Sequence, residues 1–250
     1  MKKVLGCIRR ADDDFNLISD GDHIVIGVSG GKDSLLLLRA LRLYQYFSKA
    51  SFRLTAATLD MGMDGLDFSA VHSLCGELGI PYILRKTEIA RIVFDERKEK
   101  NPCSLCANLR RGALNSLAVE IGANKVALGH HREDLLETLF LSLLFEGRLH
   151  TFSPKTYLTR SGITAIRPMI YLPESHVISM AKKLQLPIVY NPCPANGHTK
   201  RQEMKELLSH LCTITPDAKD KMLRAIRAGG VLGKLGKAEQ SAEVFAQEDI

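Results

Sequence analysis

The chain has 250 residues, 45% of them hydrophobic and 25% charged, enough to bury one good-sized core, so one main domain is the expectation. No stretch reaches the ~20 uninterrupted apolar residues of a membrane span, and the Met1-Lys2-Lys3 start runs into Asp12, Asp13 and Asp14 rather than an export signal's apolar core; a cytoplasmic protein with no membrane partner is expected. The formal charge of +6 mildly favours a polyanion, and six cysteines without an export signal argue for metal or reactive-thiol chemistry over a disulfide framework.

In chain order, residues 1–20 form an amphipathic basic segment that contains Cys7. Residues 23–28 are a short β-branched run ending in Ser29-Gly30-Gly31, and the Leu-rich stretch 34–47 follows without Pro or Gly: strand, tight turn, helix. A second strand over 52–59 ends at Asp60, a glycine-spaced loop leads to a helix around 67–78, and Pro81 introduces a strand over 81–84. The charged stretch 95–100 reads as a solvated connector, after which 103–121 has helical spacing and stops at Gly122. Residues 125–129 read as a fourth strand, 132–145 as a helix apolar on most faces and hence buried against the sheet, and 164–167 as one more strand. From Thr199 the chain turns helical and basic, Pro216 divides it, and 229–236 is a loose end before an acidic tail. Strands alternating with helices predict right-handed crossovers and a doubly wound α/β fold, with a mostly parallel sheet covered by helices on both faces. That core spans 21–198, with a helical basic extension and flexible tail over 199–250.

A strand that turns through Ser29-Gly30-Gly31 directly into a helix gathers backbone N–H groups and the helix dipole at one point, which makes an anion site. The glycines allow a sharp turn without a Cβ in the way, Ser29 and Ser34 offer hydroxyls, Lys32 a positive charge, and Asp33 suits a bridging Mg²⁺. The loop is not a Walker P-loop: Gly27 and Gly31 have three residues between them instead of four, and Lys32 precedes Asp33 rather than Ser or Thr. The structural alternative is a glycine-rich turn capped by Ser and Asp. Gly129-His130-His131-Arg132-Glu133-Asp134 ends the fourth strand and should face the same crevice, because ligands of open parallel sheets gather at the strands' carboxyl ends. Asp134 there either binds Mg²⁺ or steers an acceptor, or simply answers the dipole in the first turn of a helix; Asp60 lies near the nucleotide edge and is equally a turn residue. The two histidines read as packing or capping residues.

Cys103-Ser104-Leu105-Cys106 is a C-x-x-C at a helix start, a spacing for one metal or a redox pair, and Cys193 sits between Pro192 and Pro194 in a stiffened loop after an expected last strand. Three ligands suit a cluster with one open iron, whereas a closed zinc site would want a fourth. Cys75 and Cys212 lie among leucines and read as core residues.

The loop Ser29-Gly30-Gly31-Lys32-Asp33-Ser34 resembles that of the PP-loop ATP pyrophosphatases. Together with Asp14-Phe15-Asn16-Leu17-Ile18, the C-x-x-C followed by Leu109-Arg110-Arg111-Gly112, and Gly129-His130-His131 through Glu137-Thr138-Leu139-Phe140, it resembles the tRNA 2-thiocytidine synthetase family within that superfamily. The resemblance implies ATP and Mg²⁺ at Ser29, Gly30, Gly31, Lys32, Asp33, Ser34, Asp60 and Gly129, with Lys32, Asp33 and Asp134 as the catalytic candidates. It further implies a [4Fe-4S] cluster on Cys103, Cys106 and Cys193, and thiolation of a cytidine in the tRNA anticodon loop with sulfide or a cysteine desulfurase as sulfur donor. The paired zinc-binding C-x-x-C motifs of related uridine thiolases are absent, which favours cytidine. The rival enzyme is a PP-loop pyrophosphatase that amidates a small substrate, and the rival from another class is a non-catalytic iron–sulfur or zinc protein that binds RNA or senses redox state. For tRNA the candidates are the basic ends, Lys2, Lys3, Arg9 and Arg10 and Lys200, Arg201 and Lys205, with Arg110 and Arg111 near the thiols. A homodimer is left open.

Overall fold

The computed structural model describes residues 1–98, 102–194 and 199–231. Six strands form one sheet in the order β3-β2-β1-β4-β6-β5: β1 (His23–Gly27), β2 (Arg53–Asp60), β3 (Tyr82–Lys86), β4 (Lys125–Ala127), β5 (Lys155–Leu158) and β6 (Ile163–Ile166). All neighbours are parallel except β5, which runs antiparallel to β6 as an edge hairpin. The chain first winds outward from β1 through β2 to β3 and then returns to place β4 on the other side of β1. The β1/β4 junction is therefore the topological switch point, where two successive crossovers leave a crevice beyond the strands' carboxyl ends.

The strands sort their side chains by the two-residue period: Ile24 and Ile26 enter the larger core cluster, and Val25 between them enters the smaller one on the opposite face. On the larger side lie α1 (Lys2–Phe15), α2 (Lys32–Tyr44), α3 (Ser69–Glu77), α5 (Arg132–Leu141) and α6 (Glu174–Lys183), whose buried residues share one cluster. The smaller side is closed by α4 (Pro102–Glu120), which packs Leu114, Leu117 and Ala118 onto Val25, Ala57, Val126 and Ile163. The doubly wound arrangement expected from the alternation is thus present. Beyond it, α7 (Lys200–Ile214) packs against α5, and α8 (Ala218–Ala228) adds Ile226 to the same core. Among the described residues no helix is long and apolar enough to cross a membrane.

The amino-terminal segment is a helix docked into this core through Val4, Ile8 and Ala11, the first two worth about 1.5–3 kcal/mol each and the Ala11 methyl about 0.8 kcal/mol. It is clasped at its far end. The Tyr171 hydroxyl donates to Asp14 Oδ2 (2.8 Å), Arg227 donates to the same oxygen (2.9 Å), and the guanidinium groups of Arg10 and Arg227 lie 4.9 and 5.0 Å from the Tyr171 ring centre. Tyr44 of α2 donates to Asp12 Oδ2 (2.8 Å). Under β1 and β4, buried Lys125 pairs with buried Asp22 at 2.6 Å and donates to the Leu17 carbonyl at 2.8 Å, so neither charge is left without a partner.

Several elements differ from the sequence expectation. The hairpin strand β5 is not anticipated, because four residues on a sheet edge carry too little periodicity to register. The helix expected over 132–145 is α-helical and buried only in its first part. Ser142–Glu146 forms a π-helical turn that leaves Leu143, Leu144 and Phe145 exposed. No strand is formed between α6 and Cys193: the chain turns at Gln185 and Leu186–Ile188, and Val189 N–H donates to the Gly30 carbonyl (3.0 Å). Part of the 95–100 connector is the π-helical turn Arg91–Arg97, while 99–101, 195–198 and the tail from 232 lie outside the described residues.

Candidate functional site

The carboxyl end of β1 delivers the Ser29–Ser34 loop into the switch-point crevice. Ser34 Oγ accepts from Ser29 N–H (3.1 Å), lies 3.2 Å from Ser29 Oγ and donates to the Gly31 carbonyl (3.0 Å), which folds the loop back on the first turn of α2. Gly30 has φ +82°, and a Cβ there would sit 2.8 Å from Val189. This glycine is required twice over, by conformation and by contact. Gly129, after the end of β4, is constrained by contact alone: a Cβ would lie 3.0 Å from Ser34 N and 3.1 Å from Asp33 C. Gly129 therefore serves the site by letting the β4 loop approach the amino terminus of α2.

The side chains around this junction line a crevice of ≈ 260 Å³. Lys32 Nζ lies 3.1 Å from Asp33 Oδ2 and 3.2 Å from Glu174 Oε1. Burial alone would lower its pKa, but the two carboxylates outweigh burial and hold the ammonium above the ordinary lysine value. Asp33 Oδ1 is a buried oxygen with no hydrogen-bond partner, 3.6 Å from His131 Nε2, and an orphaned carboxylate oxygen beside a phosphate loop fits a divalent cation. Asp134 divides its oxygens: Oδ2 accepts the His131 backbone N–H (2.8 Å) and caps α5, while Oδ1 faces Arg201 at 3.5 Å. Its helix-capping role is thus real, and one oxygen remains turned to the crevice. Asp60 behaves as a turn residue, Oδ1 accepting from Gly62 N–H (2.9 Å).

Four charged residues of this crevice are given no place in it by the sequence reading, although Glu137 belongs to one of the quoted motifs. Glu137, one turn after Asp134, is 4% exposed; burial, with the Asp134 charge adding to it, pushes its carboxyl up to about 7 against the pull of Arg201 and Lys205. Glu174, on α6, is drawn the other way: burial would raise it, but Lys205 and Lys32 hold it below the usual carboxylate range. Arg201 and Lys205 are assigned to RNA by their charge, yet both turn inward to this crevice. Of the two histidines, His130 stacks on Phe152 (4.9 Å) and is held well below the ordinary imidazole value by burial and by Arg167, a packing residue as expected. His131 is buried at the start of α5, its Nδ1 turned to the first turn of that helix, 3.4 Å from Asp134 Oδ2, and its Nε2 3.6 Å from Asp33 Oδ1.

The thiols come together from two directions. Cys103 and Cys106 occupy one face at the start of α4, and Cys193 arrives on the segment tied to Gly30 through Val189. Burial raises the pKa of Cys103 and Cys106, and the neighbouring thiols, Cys193 included, add to the shift, so the three lie within electrostatic reach of one another. Arg110 opposes that rise at Cys106, whose Sγ is 3.9 Å from Met61 Sδ. Among the described residues no three Cys, His, Asp or Glu side chains converge tightly enough to grip a metal ion as they stand. The donor set itself, three thiols on two segments with no fourth ligand among the described residues, fits a cluster with one open iron better than a closed zinc site. Cys75 is buried in the core as expected, whereas Cys212 is only half-buried.

Comparison with known proteins places this geometry. Residues 8–211 match the family described as a PP-loop domain. A tRNA-cytidine(32) 2-sulfurtransferase of Geobacter sulfurreducens is 38% identical over 228 residues, covering 90% of this chain and 89% of that protein. One of Ralstonia pickettii is 36% identical, covering 88% of this chain and 70% of its own length. Among solved structures, the U34-tRNA thiolase NcsA from Methanococcus maripaludis with its [4Fe-4S] cluster superposes with a TM-score of 0.73 at 22% identity, covering 94% of this chain and 80% of that one, a likeness of fold.

Proposed function

Since the chain belongs to the tRNA-cytidine 2-sulfurtransferase (2-thiocytidine synthetase) family of PP-loop proteins, we propose that it uses ATP to activate the C2 carbonyl of a tRNA cytidine and replaces that oxygen with sulfur. The observation that carries the reading is the Ser29–Ser34 loop at the β1/β4 switch point, with Gly129 close against Asp33 and Ser34, where a phosphate and an acceptor base would share one crevice.

The chemistry has two steps. The cytidine O2 attacks the α-phosphorus of ATP; the new O–P bond forms as the bond to the bridging oxygen breaks, and pyrophosphate leaves with that electron pair. Hydrosulfide then adds to C2, the C2–O bond breaks, AMP departs with the oxygen, and the sulfhydryl proton passes to solvent or a base to leave C=S. The loop amides at the start of α2, with Lys32, stabilise the charge that grows on pyrophosphate. Asp33, through its unpartnered oxygen, would hold Mg²⁺, which screens the phosphates. Asp134 fixes the start of α5 with one oxygen and faces the crevice with the other. Holding nucleotide and base side by side makes the first step effectively intramolecular.

Cys103, Cys106 and Cys193 would hold a [4Fe-4S] cluster, which supplies an open coordination position for sulfur delivered as sulfide or by a cysteine desulfurase. The Val189–Gly30 bond keeps the Cys193 segment against the phosphate loop, which is where sulfur has to arrive. Anaerobically purified protein incubated with ATP, sulfide and tRNA should form AMP and pyrophosphate in step with 2-thiocytidine. ADP as the main nucleotide product, or no sulfur in the tRNA, would overturn the reading.

A further inference from the structure

Two cations of α7, read from sequence as part of an RNA face, stand inside the nucleotide crevice. Arg201 Nη1 lies 3.5 Å from both Asp134 Oδ1 and Glu137 Oε2. Lys205 Nζ lies 2.7 Å from Glu174 Oε1, the same oxygen that sits 3.2 Å from Lys32 Nζ. One buried carboxylate oxygen therefore brackets the loop lysine and the α7 lysine, so that two ammonium groups are held side by side with nothing but an acceptor between them. The amino terminus of α7 faces the same space: Thr199 and Gln202 line the crevice, and Thr199 Oγ1 caps the helix by accepting Gln202 N–H (3.3 Å). At the inner wall of the crevice Asp33 Oδ1 is a buried oxygen without a hydrogen-bond partner, 3.6 Å from His131 Nε2.

We propose that Arg201 and Lys205, aimed by Glu137 and Glu174 and backed by the amino terminus of α7, form the outer half of a pyrophosphate clamp whose inner half is the Ser29–Ser34 loop with Lys32. The proposal rests on the reading that ATP binds at this loop. Its physical content is an exchange of partners. In the free chain the three cations are paired with carboxyl groups of the crevice; when a magnesium-bound pyrophosphate enters, its oxygens take over Arg201 as a two-pronged donor and Lys32 and Lys205 as point charges. The carboxylates then act as positioning residues that kept long, mobile side chains aimed at the site. Lys200, by contrast, points outward, paired with Glu203 (2.9 Å) and over the exposed Phe145 ring (5.6 Å), and stays a candidate for RNA.

The test is calorimetric binding of inorganic pyrophosphate with Mg²⁺ to the full-length, cluster-loaded protein, with tRNA affinity measured in parallel by filter binding. Arg201→Ala and Lys205→Ala should each weaken pyrophosphate at least tenfold and raise the KM for ATP, while tRNA affinity stays within about twofold. Lys200→Ala should do the reverse. Arg201→Lys, which keeps the charge and the packing, should recover part of the loss and decides the matter if the alanine variant does not fold. Unchanged pyrophosphate binding in the α7 variants beside a loss in Lys32→Ala would overturn the clamp alone. The same holds if the α7 variants lose tRNA and keep pyrophosphate. No pyrophosphate binding by the wild type, or equal binding by Lys32→Ala, would instead remove the ATP reading and the clamp with it.

Discussion

Replacing Glu137 by Gln tests the energetics of the crevice without altering its shape. Glu137 is 4% exposed, its carboxyl is pushed from an ordinary value of 4.5 to about 7 chiefly by burial and then by Asp134, and Arg201 and Lys205 only partly offset this. The folded state therefore prefers the neutral acid. Because the folded pKa is raised, the associated stability is fully present below the unfolded value and is lost as pH rises through about 7. A displacement of that size amounts to roughly 3 kcal/mol against the ionised form at high pH, of which about 2 kcal/mol should disappear between about pH 5.5 and 8. Urea unfolding of the wild type at the two pH values should show that fall, and Glu137→Gln should lack it, becoming the more stable of the pair at the higher pH. Distant titrating groups contribute equally to both proteins, so the difference between them reports Glu137 together with its coupling to Asp134, Arg201, Lys205 and Glu174. Parallel falls that agree within about 0.5 kcal/mol would refute the argument, and would mean that Arg201 keeps Glu137 ionised throughout.

Two further outcomes follow from the geometry. Gly129→Ala drives a Cβ against the backbone of Ser34 and Asp33, where nothing flexible can yield, so ATP binding should fall by an order of magnitude or more in equilibrium dialysis while the far-ultraviolet circular dichroism stays that of the wild type; normal affinity would mean that the loop has slack. Cys103→Ser, Cys106→Ser and Cys193→Ser should each lose iron and thiolation together, with Cys75→Ser keeping its iron; full thiolation by carefully chelated, iron-free protein would reassign the three thiols to persulfide relay.

What could be read from sequence was what is local. The Ser29–Ser34 loop declares itself because strand, glycine turn and helix are contiguous, and the outward and returning crossovers follow from the alternation of elements. Gly129 and Asp134 could be placed in the crevice because β4 had to end there. Glu174, Arg201 and Lys205 could not, because their roles depend on how α6 and α7 pack, and a charged residue on an amphipathic helix looks the same whether it faces water or a cavity. Glu137 was hidden by its neighbours: in a stretch as apolar as 135–143, a single acid reads as the polar side of a helix, and only the packing of α7 on α5 shows it to be buried. The same limit made Leu143 to Phe145 look like core.

The clasp on Tyr171 sets an order on the making of this protein. Helix α1 is made before each of its anchors: Tyr44 lies 32 residues after Asp12, Tyr171 157 residues after Asp14, and Arg227 213 residues after it. At ~5–20 residues per second, the last of these follows α1 by roughly 10 to 40 s. By then the phosphate loop, all three candidate cluster cysteines and the cations of α7 have been synthesised. The anchors of α1 thus become available in stages, and the last, Arg227, only on a chain in which every residue lining the crevice around Lys32 is already present.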